Sequence, residues 1–366
     1  MTGAAARNEP PAPTHNWAAL AAEAGSDVNT RFGHRLIGLP GTWIGSLQAP
    51  PPSGSLSTGS ATAALAKKRP LPWTEMPWSE WHYWWQSHYL DAIVDAGNHA
   101  LTQEDAAGAR RELRLGKALL RGILIRNFCR FPNHYYDDMA WLALAATRLN
   151  ELSLHLTSKP ATLARSAART LTKQLHKAHD PVLGGGLYWS RKRDYKNTPV
   201  NGPAAAHFAR IGEHQIAGAV ADWLRSELFD AETGLYQDGI HPSITGRDVE
   251  ATIYTYNQGP ILGALLKLGR PQDLIDAETL IDAISRHLHT PGQGLRLEPG
   301  GDGSLFTGIL ARYLALAAQE DRLPAQTRAT ASDLIVQTAA TVADQRPEIL
   351  SAAIQRWTIL SAAAAI

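Results

Sequence analysis

The chain has 366 residues, of which 44% are apolar and 19% are charged, and its formal net charge is +1. These values are typical of a globular protein with a sizeable core, and they argue against the basic face of a nucleic-acid-binding protein. No stretch approaches the roughly 18 apolar residues of a membrane span, and an acid and prolines interrupt the N-terminus before a signal peptide could form. We therefore expect a soluble cytoplasmic protein that binds neither nucleic acid nor membrane.

The first part of the chain carries few regular elements. Residues 1–13 are rich in Ala and Pro and are predicted to be disordered, whereas the apolar periodicity of residues 15–37 predicts a helix. Residues 48–77 are rich in Pro, Ser and Gly and are predicted to form a long surface loop. Because the segment before this loop is too short to fold alone, residues 14–366 are predicted to form a single domain.

From residue 78 onward every convincing periodicity is helical. The predicted helices span residues 78–101, 104–128, 137–154, 160–178, 203–229, 250–268, 271–289, 304–320, 326–344 and 347–365. The segment 203–229 is long enough for two helices that break near Gly212. Tight connections alternate with long ones, which are residues 181–202, 230–249 and 290–303. This pattern predicts an all-α toroid of helical hairpins, with the functional site on the face that carries the long loops.

The residues with metal or redox chemistry give no site. The only cysteine, Cys129, lies in the apolar segment 124–131, which predicts a buried and unreactive thiol. The 14 His residues include no His-Glu-x-x-His motif. We therefore expect neither a metal nor a cofactor.

Two adjacent acids, Asp137 and Asp138, stand at the start of the predicted helix 137–154. Acids at this place commonly cap a helix or stabilise its dipole, and on this segment alone that role is favoured. A carboxyl pair can also cleave a glycosidic bond, because one group attacks the anomeric carbon while the other protonates the leaving oxygen. The charge of one raises the pKa of the other, so that one is ionised while its neighbour keeps a proton.

Three further segments combine aromatic and polar side chains. Residues 184–202 contain three consecutive glycines and Trp189, residues 234–259 contain Asp238, and residues 305–313 begin a helix with an aromatic side chain. Flat aromatic faces suit sugar rings, and the chain has 11 Trp beside 6 Phe. Each segment alone also has an ordinary explanation as a Gly-rich loop, a turn or a helix start.

Taken together, the segments resemble glycoside hydrolase family 76 in order and approximate spacing, over roughly residues 78–320. The matching motifs are Trp84-Trp85-Gln86, Tyr136-Asp137-Asp138, Gly184 to Trp189, Tyr195-Lys196-Asn197, Asp238-Gly239, Thr255 to Gly259 and Phe306-Thr307-Gly308-Ile309.

The resemblance implies an (α/α)6 barrel and a retaining, endo-acting hydrolase of α-1,6-mannan or its manno-oligosaccharides. It also implies that Asp137 is the nucleophile and Asp138 the acid/base. The substrate-binding residues that it implies are Trp84, Trp85, Tyr136, Trp189, Tyr195, Lys196, Asn197, Asn201, Asp238, Tyr256, Asn257 and Phe306.

Some alternatives remain open, and one residue departs from the family pattern. Thr307 stands where the family usually has Lys, which puts a charge contact there in doubt. Another sugar enzyme of the same fold would be an N-acyl-sugar epimerase, which relies on histidines, or an unsaturated-uronyl hydrolase, which hydrates a double bond. A non-enzymatic alternative is a mannan-binding protein that has lost turnover. The Asp pair argues against all three, and the interpretation is a monomeric enzyme without a cofactor.

Overall fold

The computed structural model describes residues 15–49, 80–243 and 246–366. The predicted disordered segment 1–13 and most of the predicted loop 48–77 lie outside these residues. The described residues form twelve α-helices. They are α1 Trp17–Arg31, α2 Tyr83–Thr102, α3 Ala106–Arg126, α4 Tyr136–Thr157, α5 Thr162–Ala178, α6 Thr198–Arg210, α7 His214–Glu227, α8 Thr255–Leu268, α9 Pro271–His287, α10 Phe306–Ala318, α11 Ala325–Val342 and α12 Leu350–Ala364.

The helices form two concentric rings. The inner ring consists of α2, α4, α6, α8, α10 and α12; each packs against the next, and α12 packs against α2 to close the ring. In the outer ring, α3, α5, α7, α9 and α11 each pack against the inner helix that precedes them, and α1 packs against α12. The fold is the predicted (α/α)6 barrel, and its sixth hairpin joins the first helix to the last.

The burial of each helix follows from its sequence. In the inner helix α10 every residue from Thr307 to Ala315 is buried, since this helix is apolar around almost its whole circumference. In the outer helix α5 the buried apolar residues recur every three or four positions, at Ala164, Ala167, Leu171 and Leu175. An amphipathic helix of this kind buries one face and exposes the other, so the two rings are already distinguished in the sequence.

Short strands form antiparallel pairs between the helices. They are β1 Gly33–His34 with β2 Ile44–Gly45, β4 Phe229–Asp230 with β5 Leu235–Tyr236, β8 His289–Thr290 with β9 Gly294–Leu295, and a three-stranded sheet of β3 Lys196–Asn197, β6 Gly239–Ser243 and β7 Gly246–Glu250. In that sheet β6 lies between β3 and β7. Strand content is low, as predicted.

Several local predictions differ from the structure or are sharpened by it. The helix predicted over residues 15–37 ends at Arg31, and β1 follows it. The segment 203–229 is divided at Gly212 into α6 and α7, as the sequence allowed, and α6 begins earlier, at Thr198. The predicted helix 250–268 begins only at Thr255, because Glu250 pairs with Gly239 in the β6–β7 hairpin. The prediction of a buried Cys129 is wrong: the residue is exposed, because α3 ends at Arg126 and the chain turns away with a φ of +56° at Cys129.

In the described part of the chain, no helix combines the length and the apolarity needed to cross a bilayer.

Candidate active site

A cleft of about 790 Å³ opens where the inner helices begin. The first turns of α2, α4, α8 and α10 supply Trp84, Asp137, Tyr256 and Phe306 to its lining, and the long loops supply Trp189 among others. The N-terminal ends of these helices carry partial positive charge, which favours negative charge in the cleft. The long-loop face of the barrel therefore holds the Asp pair.

Asp137 lies in the first turn of α4 and accepts two hydrogen bonds. The indole Nε1 of Trp189 donates to its Oδ2 at 2.8 Å, and the backbone N–H of Asp138 donates to its Oδ1 at 2.8 Å. Burial raises the pKa of Asp137, hydrogen bonds oppose this rise and the charge of Asp238 adds to it, so that the net pKa is about 7. The two donors favour the ionised form that a nucleophile needs.

Asp138 has a different environment. Its Oδ2 accepts a hydrogen bond of 2.6 Å from Nδ2 of Asn133. Burial raises its pKa well above the usual range, and the charges of Asp137 and Asp302 add to this rise. Because Asp137 has two donors and Asp138 faces the charge of Asp137, we infer that Asp137 ionises first while Asp138 keeps its proton.

Capping of α4 does not explain the acid pair. The N-cap residue is Tyr135, whose side chain makes no capping hydrogen bond, and both acids lie within the first turn. Asp138 accepts its hydrogen bond from the side chain of Asn133 and not from the helix backbone. Two carboxyl groups therefore line a cleft without serving as the cap of their helix.

A third carboxyl group, that of Asp238, lies on the wall of the cleft. The Tyr195 hydroxyl lies 2.8 Å from Oδ2 of Asp238 and 3.1 Å from Oε2 of Glu250. Nδ2 of Asn257 donates to Oδ1 of Asp238 at 3.1 Å. Burial raises the pKa of Asp238, and the hydrogen bonds from Asn257 and Tyr195 oppose this rise. Asp238 is thus a fixed acceptor at a place where a sugar hydroxyl can reach it.

Two groups of aromatic rings lie along the cleft. In the first, the rings of Tyr256 and Phe306 stack with centroids 3.8 Å apart and an angle of 10°, and Trp84 lies 6.1 Å from Phe306. In the second, Trp189 lies 5.0 Å from Tyr135 and 6.2 Å from Tyr195. Aromatic faces pack against the C–H surfaces of sugars, so the two groups offer two places for sugar units.

A sequence profile of glycosyl hydrolase family 76 matches residues 65–358, which is most of the chain. The chain belongs to glycosyl hydrolase family 76. Membership makes it a glycoside hydrolase and sets aside the epimerase and uronyl hydrolase alternatives. A comparison with curated proteins finds no match.

Several solved structures share the fold. The α-1,6-mannanase of Salegentibacter sp. HEL1_6 has 24% sequence identity and a TM-score of 0.76, over 95% of this chain and 99% of that chain. An inactive variant of that enzyme, in complex with α-1,6-mannotriose, matches with a TM-score of 0.77 and 24% identity over the same shares of the two chains. A protein of Listeria innocua has 22% identity and a TM-score of 0.74, over 96% of this chain and 97% of that chain.

The structure brings nine of the residues implied by the family resemblance to the cleft. They are Asp137, Asp138, Trp84, Trp189, Tyr195, Asn197, Asp238, Tyr256 and Phe306. Asn197 has the clearest position for ligand binding, because its Oδ1 is buried without a hydrogen-bond partner among the described residues. A buried acceptor without a partner is costly unless a ligand supplies the donor.

Five other implied residues do not line the cleft, and their role in substrate binding stays a prediction. They are Trp85, Tyr136, Lys196, Asn201 and Asn257. Asn257 holds Asp238, and the indole N–H of Trp85 donates to Asp302 at 2.7 Å. Tyr136 is buried beneath the guanidinium group of Arg191, 5.7 Å from its ring. These side chains support residues that do line the cleft or pack behind them.

Lys196 and Asn201 stabilise the Gly-rich loop of family 76. The ammonium group of Lys196 is buried and donates to Oδ1 of Asp180 at 2.7 Å and to the carbonyl oxygens of Val182 and Gly185 at 2.6 Å. Asn201 accepts from the backbone N–H of Leu187 at 2.7 Å and donates to its carbonyl oxygen at 2.9 Å. Both side chains therefore shape the segment that carries Trp189.

The departure at Thr307 has a structural counterpart. Thr307 is buried and donates to the carbonyl oxygen of Arg296 at 2.6 Å. Nearby, the carboxylate of Glu298 accepts from the backbone N–H of Thr255 at 2.8 Å and lies 3.2 Å from the guanidinium group of Arg296. Arg296 therefore supplies a positive charge beside Glu298, which Thr307 cannot supply.

Sequence reasoning missed several polar residues of the cleft lining, among them Asn133, Asp302, His241 and Glu250. Asn133 precedes Asp138 by five residues and could have been found as its neighbour in the same motif. Asp302 lies in a loop recognised as long, but no local pattern separates it from other acids. His241 and Glu250 come together only through the β6–β7 hairpin, which the sequence did not reveal.

Proposed function

We propose that this family 76 enzyme hydrolyses internal linkages of α-1,6-linked mannan and does so with retention of anomeric configuration. The observation that carries the proposal is the pair Asp137 and Asp138, adjacent in sequence but with different hydrogen-bond partners. One carboxyl group has donors that favour ionisation, and the other has surroundings that favour a proton. This is the division of roles that a double displacement needs.

In the first step, the ionised Asp137 attacks the anomeric carbon of a mannosyl unit. Asp138 gives its proton to the glycosidic oxygen, so that the sugar on the other side leaves as an alcohol. Trp189 donates to the oxygen Oδ2 of Asp137 and thereby orients the carboxylate. The product is a mannosyl ester of Asp137 with inverted configuration.

In the second step, Asp138 is a carboxylate and takes a proton from a water molecule. The water oxygen attacks the anomeric carbon and releases Asp137, so the configuration is inverted a second time and retained overall. Asn133 donates to Asp138 and stabilises its charged form between the two steps.

The substrate class is supported by two lines of argument. The Salegentibacter enzyme is an α-1,6-mannanase, and its variants inactivated by replacement of two consecutive aspartates were solved with α-1,6-mannotriose and α-1,6-mannotetrose. In this chain, Asn197 and Asp238 offer acceptors for sugar hydroxyls, and the two aromatic groups offer places for sugar units. Endo action needs such places on both sides of the bond that is cleaved.

Product sizes during incubation with linear α-1,6-mannan test the proposal. An endo-acting enzyme releases a mixture of oligosaccharides from the start, whereas an exo-acting one releases a single short product. A matched control is Asp137→Asn, which fills the same space and should bind the polymer without cleaving it. Binding without any product from the wild-type chain would support the mannan-binding alternative and overturn the proposal.

A further inference from the structure

The β6–β7 hairpin brings two titratable side chains to Tyr195, and neither takes part in the two displacement steps. The ring of His241 stacks on that of Tyr195, with centroids 4.3 Å apart and an angle of 24°. Glu250 lies between the two, with Oε1 3.0 Å from Nε2 of His241 and Oε2 3.1 Å from the Tyr195 hydroxyl. His241, Glu250, Tyr195 and Asp238 thus form a continuous chain of polar contacts along the cleft wall.

The hydrogen-bond partners of His241 determine the protonation state of the His241–Glu250 pair. Nδ1 of His241 lies 3.0 Å from the carbonyl oxygen of Asp194, and because a carbonyl oxygen only accepts, Nδ1 carries a hydrogen. In a neutral imidazole Nε2 would then have no hydrogen, and an ionised Glu250 can only accept. The contact between Nε2 and Glu250 therefore needs one more proton, as in an imidazolium–carboxylate pair.

The Tyr195 hydroxyl has only one proton for two carboxyl groups. It lies closer to Asp238, at 2.8 Å, than to Glu250, at 3.1 Å. A charged His241 compensates the carboxylate of Glu250, which leaves Asp238 as the stronger acceptor. When His241 loses its proton, Glu250 has no compensating cation and competes for the hydroxyl.

We propose that His241 is a positioning residue: by compensating the charge of Glu250, it keeps the Tyr195 hydrogen bond on Asp238, so that Asp238 is held ready to accept a sugar hydroxyl. The inference rests on the proposed hydrolysis of mannan. The groups that face His241 are Glu250 and Asp248 on β7, Tyr195 beneath its ring, and the backbone of Asp194. Glu250 raises the pKa of His241, mainly through their hydrogen bond, and Asp248 adds a smaller rise.

The proposal predicts how the KM for an α-1,6-manno-oligosaccharide depends on pH in the wild type and in three variants. In the wild type KM rises, by about tenfold if a charge-assisted hydrogen bond is lost, as pH passes upward through the pKa of His241. His241→Phe keeps the ring but leaves Glu250 uncompensated, so its KM is high at every pH. Glu250→Gln removes the competitor, so its KM loses the pH dependence. The double variant His241→Phe/Glu250→Gln regains a low KM.

Asp248→Asn is the matched control. Asp248 lies opposite His241 in the hairpin register and carries the same charge as Glu250, whereas the Tyr195 hydroxyl has Asp238 and Glu250 as its hydrogen-bond partners. Its replacement should leave the KM profile close to that of the wild type. A raised KM in the double variant, or a wild-type pH dependence in Glu250→Gln, would overturn the proposal, because a merely structural hairpin would lose function further with each change.

A second readout separates this proposal from the proposed function. The ring-proton resonances of His241 in NMR spectra, assigned by their loss in His241→Phe, report its protonation without any substrate. The expected result is a pKa above the ordinary histidine value that falls in Glu250→Gln and changes little in Asp248→Asn. If mannan is not hydrolysed but this titration holds, only the proposed function fails. A His241 that titrates alike in the wild type and in Glu250→Gln would refute the pair itself.

Discussion

The two mouths of the barrel bury carboxyl groups in opposite ways. At the mouth away from the cleft, a cavity of about 970 Å³ contains Asp91 and Asp95 of α2. Both contact Arg148 of α4 and Arg312 of α10, with Nε of Arg312 2.7 Å from Asp95. Burial alone would raise the pKa of Asp91, but the two arginines outweigh it and the pKa is lowered.

At the catalytic mouth, none of the described lining residues is Lys or Arg. Burial therefore dominates, and the pKa values of Asp137 and Asp138 are raised. The same residue type, on the same ring of helices, is a paired ion at one end and, in the proposed mechanism, a nucleophile or a proton donor at the other. Cavity size does not mark the active site here, because the larger cavity has its carboxylates neutralised. Perturbed carboxyl groups without a cation are the better indication.

The largest expected effects concern the Asp pair. Asp138→Asn should lower kcat on mannan by about 10²–10⁴-fold, because the leaving oxygen loses its proton donor. A mannoside with an activated aryl leaving group needs less protonation and should lose less. Steady-state kinetics on both substrates check this, and Asp137→Asn is the comparison, since it should abolish turnover of both. An equal loss on both substrates in Asp138→Asn would remove its role as general acid.

Substitutions at the opposite mouth should lower the stability of the protein without lowering its catalytic rate. Asp91→Asn leaves a buried arginine partly unpaired and should lower the free energy of unfolding by about 3–5 kcal/mol. The exposed pair of Asp282 with Arg286 offers a control, and Asp282→Asn should cost less than about 1 kcal/mol. Urea unfolding measures both, with kcat of the folded protein expected to stay at the wild-type value. A kcat loss without a stability loss would contradict the division between the two mouths.

Asp137 should reduce stability in a pH-dependent way. Its pKa is about 7 in the folded protein, against an ordinary value near 4 in the unfolded chain. Ionisation therefore disfavours folding increasingly as pH rises from about 4 to 7, and the loss is complete above 7.

Asp137→Asn removes this loss. It should stabilise the protein by about 1–3 kcal/mol at pH 8.5, less than the full shift because the carboxyl is partly exposed, and have little effect at pH 4. Thermal unfolding at the two pH values checks the difference. A destabilisation of about 0.5–2 kcal/mol at both would instead indicate a helix-capping role.

The rings of the barrel follow from local periodicity, and this is why the sequence predicts them. The barrel is closed by packing of α1 against α12, which joins residues more than 300 positions apart. Neither helix carries a local sequence pattern that identifies the other as its partner. The Asp pair belongs to one short motif and was found from it. The direction of a polar side chain is not local: Lys196 was expected to face a sugar, but it binds the carbonyl oxygens of its own loop.

The stereochemistry of the first product tests the central claim most directly. A proton NMR time course of hydrolysis, recorded before mutarotation equilibrates the new reducing end, distinguishes the two anomers. Two successive displacements at the anomeric carbon, the first by Asp137 and the second by water, predict that the α-anomer appears first. The β-anomer then follows only by mutarotation. If the β-anomer appears first, hydrolysis is inverting, and Asp137 is not the nucleophile.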